Sequence, residues 1–332
     1  MTRANLVFAA LLGLLVPLSL LAGRVWIAPW SDDHANAALI LGELRLPRAM
    51  LAITIGAGLG AAGAAMQGYL RNPLADPGLF GIAPMAALGA VASFWLGTAI
   101  PPALAAWGLP LMALAGAGAG MALLALIAGS TSDDAAGGAG GGIALFTLAG
   151  LMLASLAGAL TALAITLAPN PFALSEIVLW LNGALTDRSW REVAIVAPLT
   201  AAGIAVLALS ARSLDALTLG EEAARSLGVE PRRLLALLVV GVGLTVGAGV
   251  AVAGIIGFVG LVVPHLVRPL TNRLPSNLIV PSALAGACLV LAADSIVRIL
   301  PLVTELRLGI ALSLIGAPFF GWLLLRMRRG RL

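Results

Sequence analysis

From Leu234 to Val267 the chain runs for 34 residues without an Asp, Glu, Lys or Arg. A transmembrane helix needs about 20 apolar residues, so this run is too long for one crossing and tight for two complete ones. Gly254, Gly257 and Gly260 cluster towards its middle and end. The pattern predicts a full helix, a glycine-rich bend and then a short or broken helix. Irregular backbone at membrane depth is tolerated only where protein or a water-filled cavity covers it. Such a bend belongs to a pathway rather than to a lipid-facing surface.

Similar apolar runs recur along the sequence. Hydrophobic residues make up 61% of it and charged residues 10%, whereas a soluble domain carries about a quarter charged. The apolar-run criterion predicts about ten spans, near 5–23, 49–68, 79–98, 108–129, 143–168, 192–210, 234–254, 255–270, 278–297 and 308–326. They form one all-α integral membrane domain over residues 1–332. Residues 5–23 follow Arg3 and end in small residues, as a signal peptide would, but the apolar stretch exceeds the usual length and is read as a retained helix. Ten spans put both termini on one side. That side also holds Arg71, Arg212, Arg225, Arg232, Arg233, Arg268, Arg273 and the tail arginines Arg326, Arg328, Arg329 and Arg331, so the positive-inside rule makes it cytoplasmic. Asp133 and Asp134, on the same face, weigh little in that rule.

Two stretches echo one another. Arg48 to Leu59 and Arg233 to Leu244 share Arg, seven residues and Gly-x-Gly-Leu, and each is followed by a related segment, "GLFGIAP" from Gly78 and "GFVGLVVP" from Gly257. The copies begin five spans apart, which would make an inverted repeat of the kind found in transporters. Chance likeness between helices rich in small packing residues is the other explanation.

The chain contains no lysine, so the glycine-rich stretch from Gly137 to Gly142 cannot be a P-loop. If ATP drives this protein, another chain hydrolyses it. Cys288 stands alone, which excludes a disulfide or a cysteine metal site, and His34 and His265 form no metal-binding spacing. No metal and no cofactor bound by this chain are expected.

"QGYLRNPLADPG", Gln67 to Gly78, interrupts the oil. Asn72 before Pro73 favours a turn, and Asp76 before Pro77 suits a helix cap followed by a first-turn proline. The longer string from Leu44 to Ile82, with "LTLGEEAARSLGV" (Leu217 to Val229), "AGIIGFVGLVVPHLVRPL" (Ala253 to Leu270), "LAADSIVRILP" (Leu291 to Pro301) and "LIGAPFFGWLL" (Leu314 to Leu324), closely resembles the permease signature of the FecCD-type family. That family comprises permeases of iron-siderophore, haem and vitamin B12 ABC importers. The resemblance covers nearly the whole chain and implies a type II importer permease of ten helices. It implies pairing with a second copy around a central path, two cytoplasmic ABC ATPase subunits that hold ATP and Mg, and a periplasmic substrate-binding protein. The setting would be the lipid of a bacterial inner membrane, with no nucleic acid involved.

Site expectations follow from the matched positions. Leu219, Gly220, Glu221, Glu222, Ala223, Ala224, Arg225 and Gly228 are similar to the loop through which ABC permeases engage their ATPases. Its acidic start suits a helix N-terminus and Gly228 a C-terminal stop, though an ordinary surface helix would share both features. Arg45, Arg48 and Arg298 match positions that in the family's vitamin B12 importer bind acidic knobs of the substrate-binding protein. The planar guanidinium fork suits a carboxylate, while snorkelling to lipid phosphate is the plainer alternative. Arg307, in "ELRLG", stands where the family often has proline, and its task is open. His265 is expected to be a hydrogen-bonded helix-end residue rather than a ligand. Asp294 lies at i,i+4 from Arg298 and is expected to pair with it rather than relay protons. Gly142, Ile143 and Ala144 correspond loosely to the family's inner constriction and, with Gly257 and Gly260, are the candidate pathway or gate residues. A dewetted apolar gate and a mobile glycine linker both fit the first three.

The expected function is a non-catalytic permease subunit of an ATP-driven importer. An intramembrane enzyme would need a paired carboxylate site, a Ser/His dyad or a metal cluster, and no such motif stands out. An ion-gradient-driven secondary transporter is the alternative, since broken helices and inverted repeats suit it too. Among iron-siderophore, haem and cobalamin the sequence does not choose.

Overall fold

The computed structural model describes residues 3–23, 37–96, 102–129, 141–168 and 170–328. His34, Asp133, Asp134, Arg329, Arg331 and residues 137–140 lie outside them. No β-strand occurs among the described residues. Eight helices there are long and apolar enough to cross a membrane, and three shorter ones are equally apolar. In chain order the helices are α1 (Arg3–Leu21), α2 (Ala37–Tyr69), α3 (Ile82–Leu96), α4 (Pro102–Gly129), α5 (Gly141–Thr166), α6 (Pro171–Leu181), α7 (Trp190–Leu209), α8 (Ala211–Leu217), α9 (Glu221–Ser226), α10 (Pro231–Ala253), α11 (Val259–Val267), α12 (Ile279–Ile299) and α13 (Leu308–Arg328).

Helix α2 is the axis of the fold, with 78% of its most apolar window buried against 11% for the peripheral α1. Small residues explain the difference. A Cβ at Gly56 or Gly60 would fall on the backbone oxygen of Gly286 or Ser282, so α2 and α12 meet backbone to backbone along a Gly-xxx-Gly ridge. One turn further on, Gly63 meets the backbone of Gly260 in α11 in the same way.

The apolar-run reading starts the second span at residue 49, whereas α2 begins at Ala37. Pro47 does not stop it, because Ile40–Arg45 is wound as a π-helix and the Leu46 N–H reaches back to the Leu41 carbonyl. That reading also leaves a loop where α6 lies. Asn170 caps α6 by accepting the Ala173 N–H at 2.9 Å, and Pro171 opens its first turn. Its 11 residues are too few to show as a span.

The broken helix expected after residue 254 is present. Helix α10 ends at Ala253, residues 254–258 are unwound, and α11 restarts at Val259. Gly254 (φ 73°) and Phe258 (φ 66°) both turn through left-handed conformations. In the echoing segment Gly81 (φ 80°) does the same at the start of α3. Helix α2 carries Arg48 near its start and leads to Arg71, which faces Glu221, so the bundle has an Arg48 end and a Glu221 end.

Candidate functional site

The unwound residues 254–258 form one wall of a cavity of about 430 Å³. Ile55 and Leu59 of α2, the turn carrying Leu74 and Asp76, and Phe320 of α13 close it. Among the described lining residues Asp76 alone is ionisable, and its Oδ1 accepts the Gly78 N–H at 2.7 Å, the cap expected at that turn. Gly257 and Gly260 both line the cavity, and the space around the Gly257 Cα is open. Gly142, Ile143 and Ala144 stand at the start of α5 and do not line it; Gly142 and Ala144 are exposed and Ile143 is half-buried.

A side chain with no motif to announce it holds the broken helix in place. Pro264 has no N–H, so the Gly260 carbonyl lacks its partner four residues on. Gln67 Nε2 donates instead to Gly260 O at 3.3 Å and Leu261 O at 3.1 Å, while Arg268 donates to Gln67 Oε1 at 3.0 Å. The available signal is that a carboxamide near the end of an oily helix must find partners. One turn along from Leu261, His265 packs edge-on against Phe319 at 6.4 Å. Its Nδ1 has no hydrogen-bond partner among the described residues, contrary to the expectation for that histidine.

At the Arg48 end, charges from three segments converge. Arg48 grips Asp294 through Nε at 3.0 Å and Nη2 at 2.8 Å, and it also pairs with Glu305. Arg298 Nε lies 3.2 Å from the other Asp294 oxygen, the i,i+4 pair expected from spacing, and its Nη2 donates to Ser19 Oγ at 2.6 Å. Thr186 reaches Glu305 at 3.5 Å. Arg45 donates to the carbonyls of Leu20 and Leu21, at 2.8 and 2.9 Å, where α1 ends. Arg48 and Arg298, expected to meet carboxylates of another protein, here meet carboxylates of their own chain. Burial alone would raise the Glu305 pKa, but the Arg48 hydrogen bond and the Arg48 and Arg298 charges outweigh it and hold the carboxyl below its usual range.

At the opposite end, α8 and α9 form a bent elbow. Gly220 (φ 107°) and Gly228 (φ 85°) bracket the six-residue α9 in conformations that favour glycine. Ala224 packs inward at 2% exposure, whereas Leu219 (68%) and Leu227 (64%) protrude on either side of it. Glu222 and Arg225 are exposed too. The elbow is tethered twice: Glu221 sits 3.9 Å from Arg71 at the end of α2, and Asp215 Oδ1 accepts the Ser276 N–H at 2.9 Å just before α12. The two tethers lead to α2 and α12, the helices that pack backbone to backbone through the core.

The FecCD transport family model matches residues 6–326. The chain is 36% identical to the Fe(3+) dicitrate transport system permease protein FecD of Escherichia coli over 92% of its length and 91% of that protein. It is 37% identical to the hemin transport system permease protein HmuU of Yersinia pestis, covering 95% and 90% of the two chains. Identity to the vitamin B12 import system permease protein BtuC of Salmonella paratyphi A is also 37%, covering 94% and 91%. A solved structure described as a metal-chelate type ABC transporter in an inward-facing conformation superposes with a TM-score of 0.85 at 28% identity, over 97% of this chain and 98% of that one. With an all-helical fold, an interrupted helix beside a cavity and a family match across nearly its whole length, the chain belongs to the FecCD transport family.

Proposed function

We propose that this chain is the permease subunit of an ATP-binding cassette importer that carries an iron chelate, haem or vitamin B12 across a bacterial inner membrane into the cytoplasm. The observation that carries this reading is the elbow: a short helix with two protruding leucines, tethered to α12 and to α2, which itself lines the cavity beside the unwound segment. Leu219 and Leu227 offer apolar knobs to a groove on each of two cytoplasmic ATPases, which would hold ATP and Mg. Force on α9 reaches Arg71 and Ser276, and through α2 and α12 the Gly63–Gly260 contact and the cavity wall. A second copy completes the path, both termini face the cytoplasm, and Arg45, Arg48 and Arg298 mark the end that receives a periplasmic binding protein.

Co-purification tests it. The chain with Leu219→Glu and Leu227→Glu should fold normally, since both side chains are exposed, and should lose its ATPase companion. Retention of the companion by this variant, or its absence from the unmodified chain, would contradict the proposal.

A further inference from the structure

The Arg48 guanidinium presents two edges, and a different carboxylate takes each. Asp294 holds the side edge, accepting from Nε at 3.0 Å and from Nη2 at 2.8 Å. Glu305 holds the end edge, accepting from Nη1 at 3.3 Å and from Nη2 as well. The two acids are not equally committed. Asp294 also lies 3.2 Å from Arg298 Nε, and its side chain is 1% exposed. The Glu305 side chain is 23% exposed and stands on residues 300–307, the loop between α12 and α13.

Charge limits what can be added here. Arg48 and Arg298 balance Asp294 and Glu305 one for one. A third carboxylate brought against Arg48 leaves an excess of partly buried negative charge, which is costly unless one of the first two departs. Withdrawing Asp294 strips two guanidinium groups of their shared partner. Withdrawing Glu305 strips only Arg48 and returns the carboxylate to water.

We propose that Glu305 is an intramolecular stand-in for a carboxylate of an acidic docking protein, which takes its place on the end edge of Arg48. The inference rests on the import reading, which puts the periplasmic binding protein at this end, and it adds the residue that must yield. The planar fork accepts either carboxylate through two parallel bonds. Between visits the stand-in keeps Arg48 paired, and the exchange weakens docking enough for the partner to leave again. Yielding also unties the loop. Glu305 joins it to α2 through Arg48 and to the loop before α7 through Thr186 at 3.5 Å. The Gly309 N–H stays on Gly183 O at 3.1 Å, so the release is confined to residues 300–307.

The test reads affinity and loop motion together. The chain with Cys288→Ser and Val303→Cys is nitroxide-labelled at 303, placed in phosphatidylcholine nanodiscs and titrated with its periplasmic binding protein. Val303 is 97% exposed, so a label there leaves the network in place. Docking should mobilise the label. Glu305→Gln should tighten docking about threefold to tenfold, the scale of one partly exposed ion pair removed from the competition. It should also leave the label mobile before docking. Glu43→Gln removes an exposed acid from the same end and should change affinity less than about twofold, which separates exchange from simple repulsion. Binding protein whose carboxylates have been converted to amides with a carbodiimide should not mobilise the label. Unchanged or weaker docking in Glu305→Gln, a label unmoved by docked protein, or equal gains from the two variants overturns the inference. So does mobilisation by phosphatidylglycerol in the disc without any protein, which gives the exchange to a lipid headgroup. An unmodified chain that docks no binding protein loses that part of the import reading as well. Docking that leaves the label still and ignores Glu305→Gln sinks this inference alone.

Discussion

Gln67 donates to the Gly260 carbonyl across 193 residues of sequence, and it supplies the hydrogen bond that Pro264 cannot. The interruption that shapes the cavity wall is therefore held by one carboxamide on the central helix. Gln67→Leu should leave a buried carbonyl unpaired and deprive Arg268 of its acceptor, at about 1–3 kcal/mol. Pro264→Ala restores an N–H at the right place. The double variant should recover part of the loss, and a thermal-unfolding cycle over the four proteins measures that coupling.

Asp294 is the hinge of the network at the Arg48 end, with a side chain 1% exposed between two guanidinium groups. Removing one member of a buried pair is strongly destabilising because the other charge stays behind. Asp294→Asn should cost about 3–5 kcal/mol. Glu305→Gln should cost less, since the Glu305 side chain is 23% exposed and solvent screens it. Equal losses in denaturant titrations would show that the network is not ordered in this way.

Acid should act through Glu305. Its pKa is lowered in the fold, so its contribution is fully present above the unfolded value of about 4.3 and is lost as pH falls through the lower folded value. Melting temperature should show a Glu305-dependent drop below about pH 4.3, and Glu305→Gln should flatten that part of the profile. An unchanged profile in the variant would assign the acid sensitivity elsewhere.

Gly60→Ala places a methyl on the Ser282 backbone, where no flexible side chain can yield. The α2–α12 contact should open at a cost of about 1–3 kcal/mol. Gly142→Ala, with open space around it, should be neutral. Melting temperatures of the two variants separate a packing glycine from a permissive one.

What the sequence discloses here is mostly local or periodic. Apolar length finds the spans, and glycine density within one run marks the break after Ala253. Spacing alone pairs Asp294 with Arg298. The remainder depends on partners distant in sequence: Arg48 joining Asp294, Glu305 joining Arg48, and Gln67 serving Gly260. Helix α6 escapes because it is short and Pro171, Ser175 and Glu176 break the apolar run, although Asn170 and Pro171 form a legible start signal. The N-terminal extension of α2 escapes because a π-turn absorbs Pro47, and a π-turn has no composition of its own.

The central claim is that this path is opened by force delivered to the Glu221–Ser226 elbow from an ATP-hydrolysing partner. The most direct measurement is uptake of a radiolabelled chelate into proteoliposomes that contain the chain, its ATPase companion and its binding protein. Uptake should require ATP, stop with vanadate and be abolished by Leu219→Glu with Leu227→Glu. Uptake that follows an imposed proton gradient, ignores vanadate and survives the leucine substitutions would contradict the account.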